Sequence, residues 1–127
     1  MEKKRTAAVL IALVLLLTAC TYPAQDHYQD ILADTDALMR FTICFDDVRK
    51  GRATPYTRTE LLTLSRDLEE GYGIDDPQAH EATRQFREAA ALLAEYIAQD
   101  DPPPSLYRKA EACYAAGVAA VHRIQGT

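Results

Sequence analysis

The 127-residue sequence has no tryptophan, no asparagine, only five glycines and only three histidines. No tract of low complexity is present, and the scattered glycines do not form a phosphate-binding loop. The histidines do not occur in Glu-x-x-His or Cys-x-x-Cys-His patterns, so neither a carboxylate-bridged metal site nor a haem attachment site is indicated. The longest unbroken apolar run, Ala7 to Leu17, has 11 residues. A helix needs about 20 apolar residues to cross a bilayer, so this run is too short.

Positive charge is also scarce. The chain has 14 lysines and arginines against 19 acidic residues, a net charge of −5. Without the first 19 residues the balance is 11 against 18. An acidic chain without a basic stripe argues against nucleic acid or anionic lipid headgroups as ligands. The length is sufficient for one domain and one hydrophobic core.

The amino-terminal segment has the features of a bacterial export signal. Three basic residues, Lys3 to Arg5, precede the apolar run, and Leu17-Thr18-Ala19-Cys20 follows. This arrangement resembles the lipobox of bacterial lipoproteins, which implies cleavage before Cys20 and a thioether-linked lipid on its sulfur. We therefore interpret residues 1–19 as a lipoprotein signal peptide, 20–25 as a lipidated tether and 26–127 as a helical domain. A plain secretory signal with a chance cysteine is the alternative.

The same resemblance predicts where the protein acts. A lipid on Cys20 would anchor it to a membrane of the cell envelope, with the domain held close to the bilayer by a short tether. Thr21 stands where an aspartate favours retention in the inner membrane. The periplasmic face of the outer membrane is therefore the expected location.

Two cysteines remain once Cys20 is assigned to lipid. In an oxidising compartment an even number of cysteines is typical of disulfides, and Cys44 with Cys113 is the one intramolecular pair available. Such a bridge would close a loop of about 70 residues and stabilise the fold by ~4 kcal/mol. Two buried free thiols are the alternative.

Apolar residues recur at three- and four-residue spacing between clear breaks, so an all-α fold is predicted. We expect four helices: one from Asp26 to Lys50, one from near Thr57, one opening at Asp76-Pro77 and one opening at Ser105 or in the prolines before it. Short links between them predict an up-down-up-down four-helix bundle. In that topology the first and last helices are antiparallel, and Cys44 and Cys113 come within reach of each other. At the start of the second helix, Thr57 and Glu60 have the spacing of a capping box.

No set of residues suggests catalysis. Glu81, Glu88 and Glu95 repeat at seven-residue spacing with Arg84 and Arg87 among them, which is typical of a salt-bridged surface row. We predict a protein that is not an enzyme, with no catalytic residues, no cofactor and no metal ligands.

The last two predicted helices carry more apolar residues than one buried face requires. The surplus apolar residues form a second row beside the buried face. This row predicts a groove between the two helices that holds a helix of a partner protein. A wide core is the alternative explanation. Gly117, in the middle of the last helix, indicates close approach of a neighbouring helix or merely tolerance of glycine. The candidate partner-binding residues are Leu92, Tyr96, Tyr107, Tyr114 and Val118.

The layout resembles the small helical pilotin lipoproteins of type II secretion. The resemblance rests on the lipobox and on loose motifs along most of the remaining chain, namely Ile43-Cys44-Phe45, Thr54-Pro55-Tyr56, Leu61-Leu62, Leu68, Gly71-Tyr72 and the late Cys113. Members bind a C-terminal helix of an outer-membrane secretin in a groove among their helices. The resemblance implies a groove here without identifying its residues.

The general prediction is a membrane-anchored envelope lipoprotein that binds another envelope protein. One alternative is a pilotin-like chaperone of a secretin, and another is a structural or exclusion-type envelope lipoprotein without a helix ligand. A ligand or metal carrier, or an enzyme, would require a polar constellation that is not evident in the sequence.

Overall fold

The computed structural model describes residues 22–125, and this part of the chain is all-α, without a strand. The all-α prediction is confirmed. The signal-peptide residues 1–19 and the lipidation site Cys20 lie outside the described residues. The five helices are α1 (Ala24–Asp34), α2 (Ala37–Arg49), α3 (Pro55–Asp67), α4 (Pro77–Ala98) and α5 (Pro104–His122), with a 3-10 turn (Leu68–Gly73) after α3.

The single helix predicted over residues 26–50 is wrong, because the chain breaks between α1 and α2. Asp36 has a φ of 50°, in the left-handed region, and the Thr35 hydroxyl donates to the Ile31 carbonyl at 2.7 Å. Aspartate tolerates this region better than most residues with a side chain. On the far side of the break, Arg40 donates to the Thr35 carbonyl at 3.0 Å and pairs with Glu60 and with Asp67 of α3. The guanidinium thus joins the break to a third helix.

The break changes which residues of α2 face the core. An unbroken helix would place Leu38 and Thr42 on the apolar stripe, yet both are exposed. Phe41 and Cys44 are buried in their place, beside Phe45, which the unbroken stripe also includes. This change of face leaves part of the apolar content of α2 on the surface.

The predicted starts of α4 and α5 are close to those observed, whereas the capping pair of α3 is not the predicted Thr57 with Glu60. Asp76 accepts hydrogen bonds from the backbone N–H groups of Gln78 and Ala79, at 2.8 and 3.0 Å, so the predicted cap of α4 is confirmed. The helix α5 begins at Pro104, within the predicted prolines. In α3 the capping pair is Thr54 with Thr57, whose hydroxyl accepts from the Thr54 N–H at 3.1 Å.

The helices α4 and α5 pack closely along their length because small residues line α5. A Cβ on Gly117 would come within 2.7 Å of the Phe86 ring, so close approach is the reason for the glycine. One turn earlier on α4, the buried Tyr28 hydroxyl of α1 lies 3.0 Å from the Thr83 hydroxyl, which itself donates to the Ala79 carbonyl. These contacts hold α1, α4 and α5 around one core.

The predicted disulfide is not formed, and both Cys44 and Cys113 are free thiols. Outside its own helix, the charged group that shifts the pKa of Cys44 is Glu60 of α3, whereas Glu88 and Arg84 of α4 act on the pKa of Cys113. The neighbouring residues, Phe45 and Tyr114, fill the space between α2 and α5 with their rings. Consecutive helical residues point about 100° apart, so neither thiol shares the direction of the ring beside it.

Candidate functional site

A cluster of aromatic rings joins α2, α4 and α5. Tyr114 lies at its centre, with ring centroids 5.0 Å from Phe41, 5.6 Å from Phe45 and 5.8 Å from Phe86. Tyr107, two turns earlier on α5, packs edge-on against Phe45 at 5.8 Å. Such offset and edge-to-face pairs add about 0.5–1.5 kcal/mol each beyond the burial of area. We call these five residues the aromatic cluster.

An open cleft of about 230 Å³ lies over the aromatic cluster, between α2 and α5. Phe45, Tyr107 and Tyr114 supply the apolar lining. The polar lining residues are Thr42 and Arg49 on the α2 side and Glu111 on the α5 side. The cleft therefore offers an aromatic surface with a cation on one lip and a carboxylate on the other.

The two tyrosines of the cleft are neutral phenols. Burial raises the pKa of Tyr114, while the nearby Thr42 hydroxyl acts in the opposite direction. Burial also raises the pKa of Tyr107, and Glu111 adds to the effect. The Tyr107 hydroxyl oxygen is buried and has no hydrogen-bond partner among residues 22–125. A buried polar group without a partner costs about 1–3 kcal/mol, so the polar groups of the cleft are not fully satisfied.

The structure brings together only part of the predicted partner-binding set. Tyr107 and Tyr114 line the cleft, and Tyr96 packs on Tyr107 with ring centroids 5.9 Å apart. Leu92 and Val118 are partly buried against the core. The last two helices, α4 and α5, are in extensive contact with each other, and the cleft that contains Tyr107 and Tyr114 opens between α2 and α5. The predicted groove between α4 and α5 stays a prediction.

Sequence reasoning missed the contribution of α2 to this surface. Leu38, Met39 and Ile43 are exposed, with 63% of Met39 accessible. Leu38 precedes Thr42 by four residues, so it continues the row that lines the cleft. Leu38 and Met39 also line a neighbouring hollow of about 270 Å³ that reaches Leu32 and Ala33 of α1. The signal was present in the sequence as apolar residues around α2 in excess of one stripe.

A cationic group borders the cleft at the carboxyl end of α2. Asp46 pairs with Arg49 at 3.1 Å, with Lys50 at 3.0 Å and with Arg52 at 3.6 Å. Hydrogen bonds from Lys50 and Arg49 hold the pKa of Asp46 below its usual value. Three cations share one carboxylate here, and each has more than half of its side chain exposed. We call Arg49, Lys50 and Arg52 the cationic corner.

The first member of the acidic row on α4, Glu81, forms a salt bridge on the surface, as predicted. Arg84 pairs with Glu81 at 2.7 Å, and these contacts lower the pKa of Glu81. In residues 22–125 no three His, Cys, Asp or Glu side chains are grouped so that they would hold a metal ion. None of the described helices has both the length and the apolarity needed to cross a bilayer.

Comparison with known proteins yields no match to a family model, no significant match among curated proteins and none among solved structures.

Proposed function

We propose that this protein is a lipid-anchored lipoprotein of the bacterial envelope whose helical domain binds a helix of another protein and catalyses no reaction. The binding site is the cleft between α2 and α5. One observation carries this proposal: an open cleft lined by three aromatic residues lies one helical turn from Leu38, which begins a group of exposed apolar side chains on α2 with Met39 and Ile43. Surfaces of this kind, with aromatic residues at the centre and charged residues at the rim, are typical of protein interfaces.

The dimensions of the surface favour a helix as its occupant. The row on α2 runs from Leu38 through Thr42 and Phe45 to Arg49, which spans about 16 Å at 1.5 Å per residue. That length accommodates about three turns of a helix, enough for apolar side chains at i, i+4 and i+7. Tyr107 and Tyr114 lie seven residues apart on α5 and so face the occupant from the other side.

The proposal of a lipid anchor is supported by the pattern of residues 3–20. The described domain begins at Tyr22, two residues after Cys20, and its first residues already contact α1. The Tyr22 hydroxyl donates to Asp30 at 2.6 Å, and the Pro23 carbonyl accepts from the His27 N–H at 3.0 Å. A lipid on Cys20 would therefore hold the domain within a few residues of the bilayer. Thr21 supports the periplasmic face of the outer membrane as the location.

We propose further that the domain is a four-helix bundle in which α1 and α2 together take the place of one broken helix. The contacts of α3 with α4 and of α4 with α5 support this arrangement. A pilotin-like chaperone of a secretin is a narrower form of the proposed function, and the cleft suits it. The alternative of a structural lipoprotein without a helix ligand is less well supported, because Met39 and Ile43 are exposed.

Blocking the cleft tests the proposed function. Thr42 is exposed, lines the cleft and donates to the Leu38 carbonyl at 2.8 Å. Thr42→Arg places a long side chain across the cleft without entering the core. We expect affinity for labelled amphipathic helical peptides, measured by fluorescence anisotropy with the purified protein, to fall by about tenfold or more.

The chain supplies a matched control at Thr59 on α3. That residue is also exposed and donates to the carbonyl four residues earlier, at 3.1 Å, yet lies outside the cleft. Thr59→Arg should leave peptide affinity unchanged and circular dichroism should show equal helicity in both variants. Equal affinities of the Thr42→Arg and Thr59→Arg proteins would refute the cleft as the binding site.

A further inference from the structure

We propose that the cleft takes an acidic amphipathic helix whose carboxylates are clustered at one end and meet the cationic corner. This inference names the partner class for the same cleft and so rests on the proposed function. The apolar lining alone does not specify the charge of a partner. The inference therefore depends on the distribution of charged residues around the cleft.

The cationic corner has more positive charge than its own carboxylate neutralises. Among residues 22–125, Asp46 is the one carboxylate paired with it, and residues 46–59 hold four basic residues against two acidic ones, Asp46 and Asp47. The side chains of Arg49 and Arg52 are 62% and 61% exposed, so they are accessible to a partner. Asp100 and Asp101 lie in the linker before α5, but no residue of that linker lines the cleft.

The other end of the same surface has the opposite charge. Residues 22–36 contain four aspartates and no lysine or arginine, and Asp36 lines the hollow beside Leu38. A carboxylate on the partner would be repelled there and attracted about 16 Å away, at Arg49. The charge gradient along α2 therefore fixes both the acidic character of the partner and the end at which its carboxylates lie.

The lip formed by α5 adds a second constraint. Glu111 faces Arg49 across the cleft, close enough to raise the pKa of Tyr107. A partner helix thus meets a cation on its α2 side and a carboxylate on its α5 side. Glu111 would repel the carboxylates of an acidic partner. A variant without this side chain should therefore bind such a partner more tightly.

Two synthetic peptides test the inference. Both carry leucines at i, i+4 and i+7 on an alanine-rich helix; one has three glutamates at one end and the other has lysines there. With the purified protein we expect the glutamate peptide to bind at least about tenfold more tightly at low salt. The difference should shrink at 0.5 M NaCl, because exposed charges are screened over a few ångströms at that ionic strength.

Charge variants of the protein complete the test. Arg49→Glu should weaken binding of the glutamate peptide by about tenfold, whereas Arg66→Glu, an exposed residue of α3 with the same charge change, should have less than about a twofold effect. Glu111→Lys should tighten the same peptide by about threefold. An increase in affinity cannot arise from unfolding, so this variant keeps the test informative if Arg49→Glu is unstable.

The outcomes separate this inference from the proposed function. Equal binding of both peptides, with both lost in Thr42→Arg, would overturn the acidic partner and leave the helix-binding cleft in place. Equal effects of Arg49→Glu and Arg66→Glu would overturn it as well. Binding of neither peptide would overturn both proposals.

Discussion

Single residues of this protein differ in reactivity because their surroundings differ, and the two thiols illustrate this. Burial raises the pKa of Cys44 to about 11, and the carboxylates of Glu60 and Asp47 add to the effect. Burial and then Glu88 raise the pKa of Cys113, which is only partly buried. At pH 8 a thiol with a pKa of about 11 is ~0.1% thiolate, so Cys44 is a poor nucleophile.

This difference predicts an order of alkylation. In native protein at pH 7.5, N-ethylmaleimide should modify Cys113 slowly and Cys44 only after unfolding, because access and thiolate fraction both favour Cys113. Intact mass spectrometry of native and urea-unfolded samples, without reductant, counts the adducts. Cys113→Ser should remove the native adduct. A mass two daltons low, with neither residue labelled after unfolding, would instead establish the bridge.

At the scale of whole elements, the break between α1 and α2 determines which residues form the cleft. The left-handed Asp36 reorients α2 so that Phe41 and Phe45 enter the aromatic cluster and Leu38 stays outside. Arg40 then holds α2 against α3 through Glu60 and Asp67. A straight helix over the same residues would point Leu38 inward and lose the exposed row.

Substitution at Asp36 tests this view of the break. Asp36→Ala should lower the free energy of unfolding by about 1 kcal/mol, because alanine in the left-handed region costs roughly 1–2 kcal/mol. Asp36→Gly should change it by less than about 0.5 kcal/mol, since glycine adopts this conformation readily. Urea titrations followed by circular dichroism measure both. Asp34→Ala, at an exposed helical position in α1, is the control; a more stable Asp36→Ala protein would mean that the chain prefers the straight helix.

Much of the helical pattern could be predicted from the sequence because it is local. The Asp76-Pro77 start of α4 and the proline-led start of α5 follow from capping and from the fixed φ of proline. The break at Asp36 could not be predicted in this way, since no glycine or proline marks it. It is held by Arg40, whose partners lie 20 and 27 residues away. The sequence identified Tyr107 and Tyr114 as surplus apolar residues. It did not show that α2 forms the other side of their cleft, because that depends on how the break orients α2.

At the scale of the molecule, the two ends of the described chain are joined to each other, and the cleft extends from the middle of α5 towards its start. The Gln25 N–H donates to the Gln125 carbonyl at 3.1 Å, and Arg123 donates to Gln78 at the start of α4. At helical rise, Tyr107 is about 22 Å and Tyr114 about 12 Å from His122, the last residue of α5. Of the cleft residues on α5, Tyr107 is therefore the farthest from the joined ends of the described chain, and Tyr114 is the nearest.

The anchor itself is testable by mass and fractionation. In a Gram-negative host we expect the wild-type protein in membranes, with the mass of residues 20–127 plus a diacylglyceryl group and an amide-linked acyl chain, because two or more chains hold a protein stably whereas one does not. Cys20→Ser removes the acceptor thiol and should leave an uncleaved chain without added lipid, whereas Cys113→Ser should be processed normally. An unmodified wild-type chain in the soluble fraction would refute the lipid anchor. The helix-binding cleft would then depend only on the peptide-binding measurements.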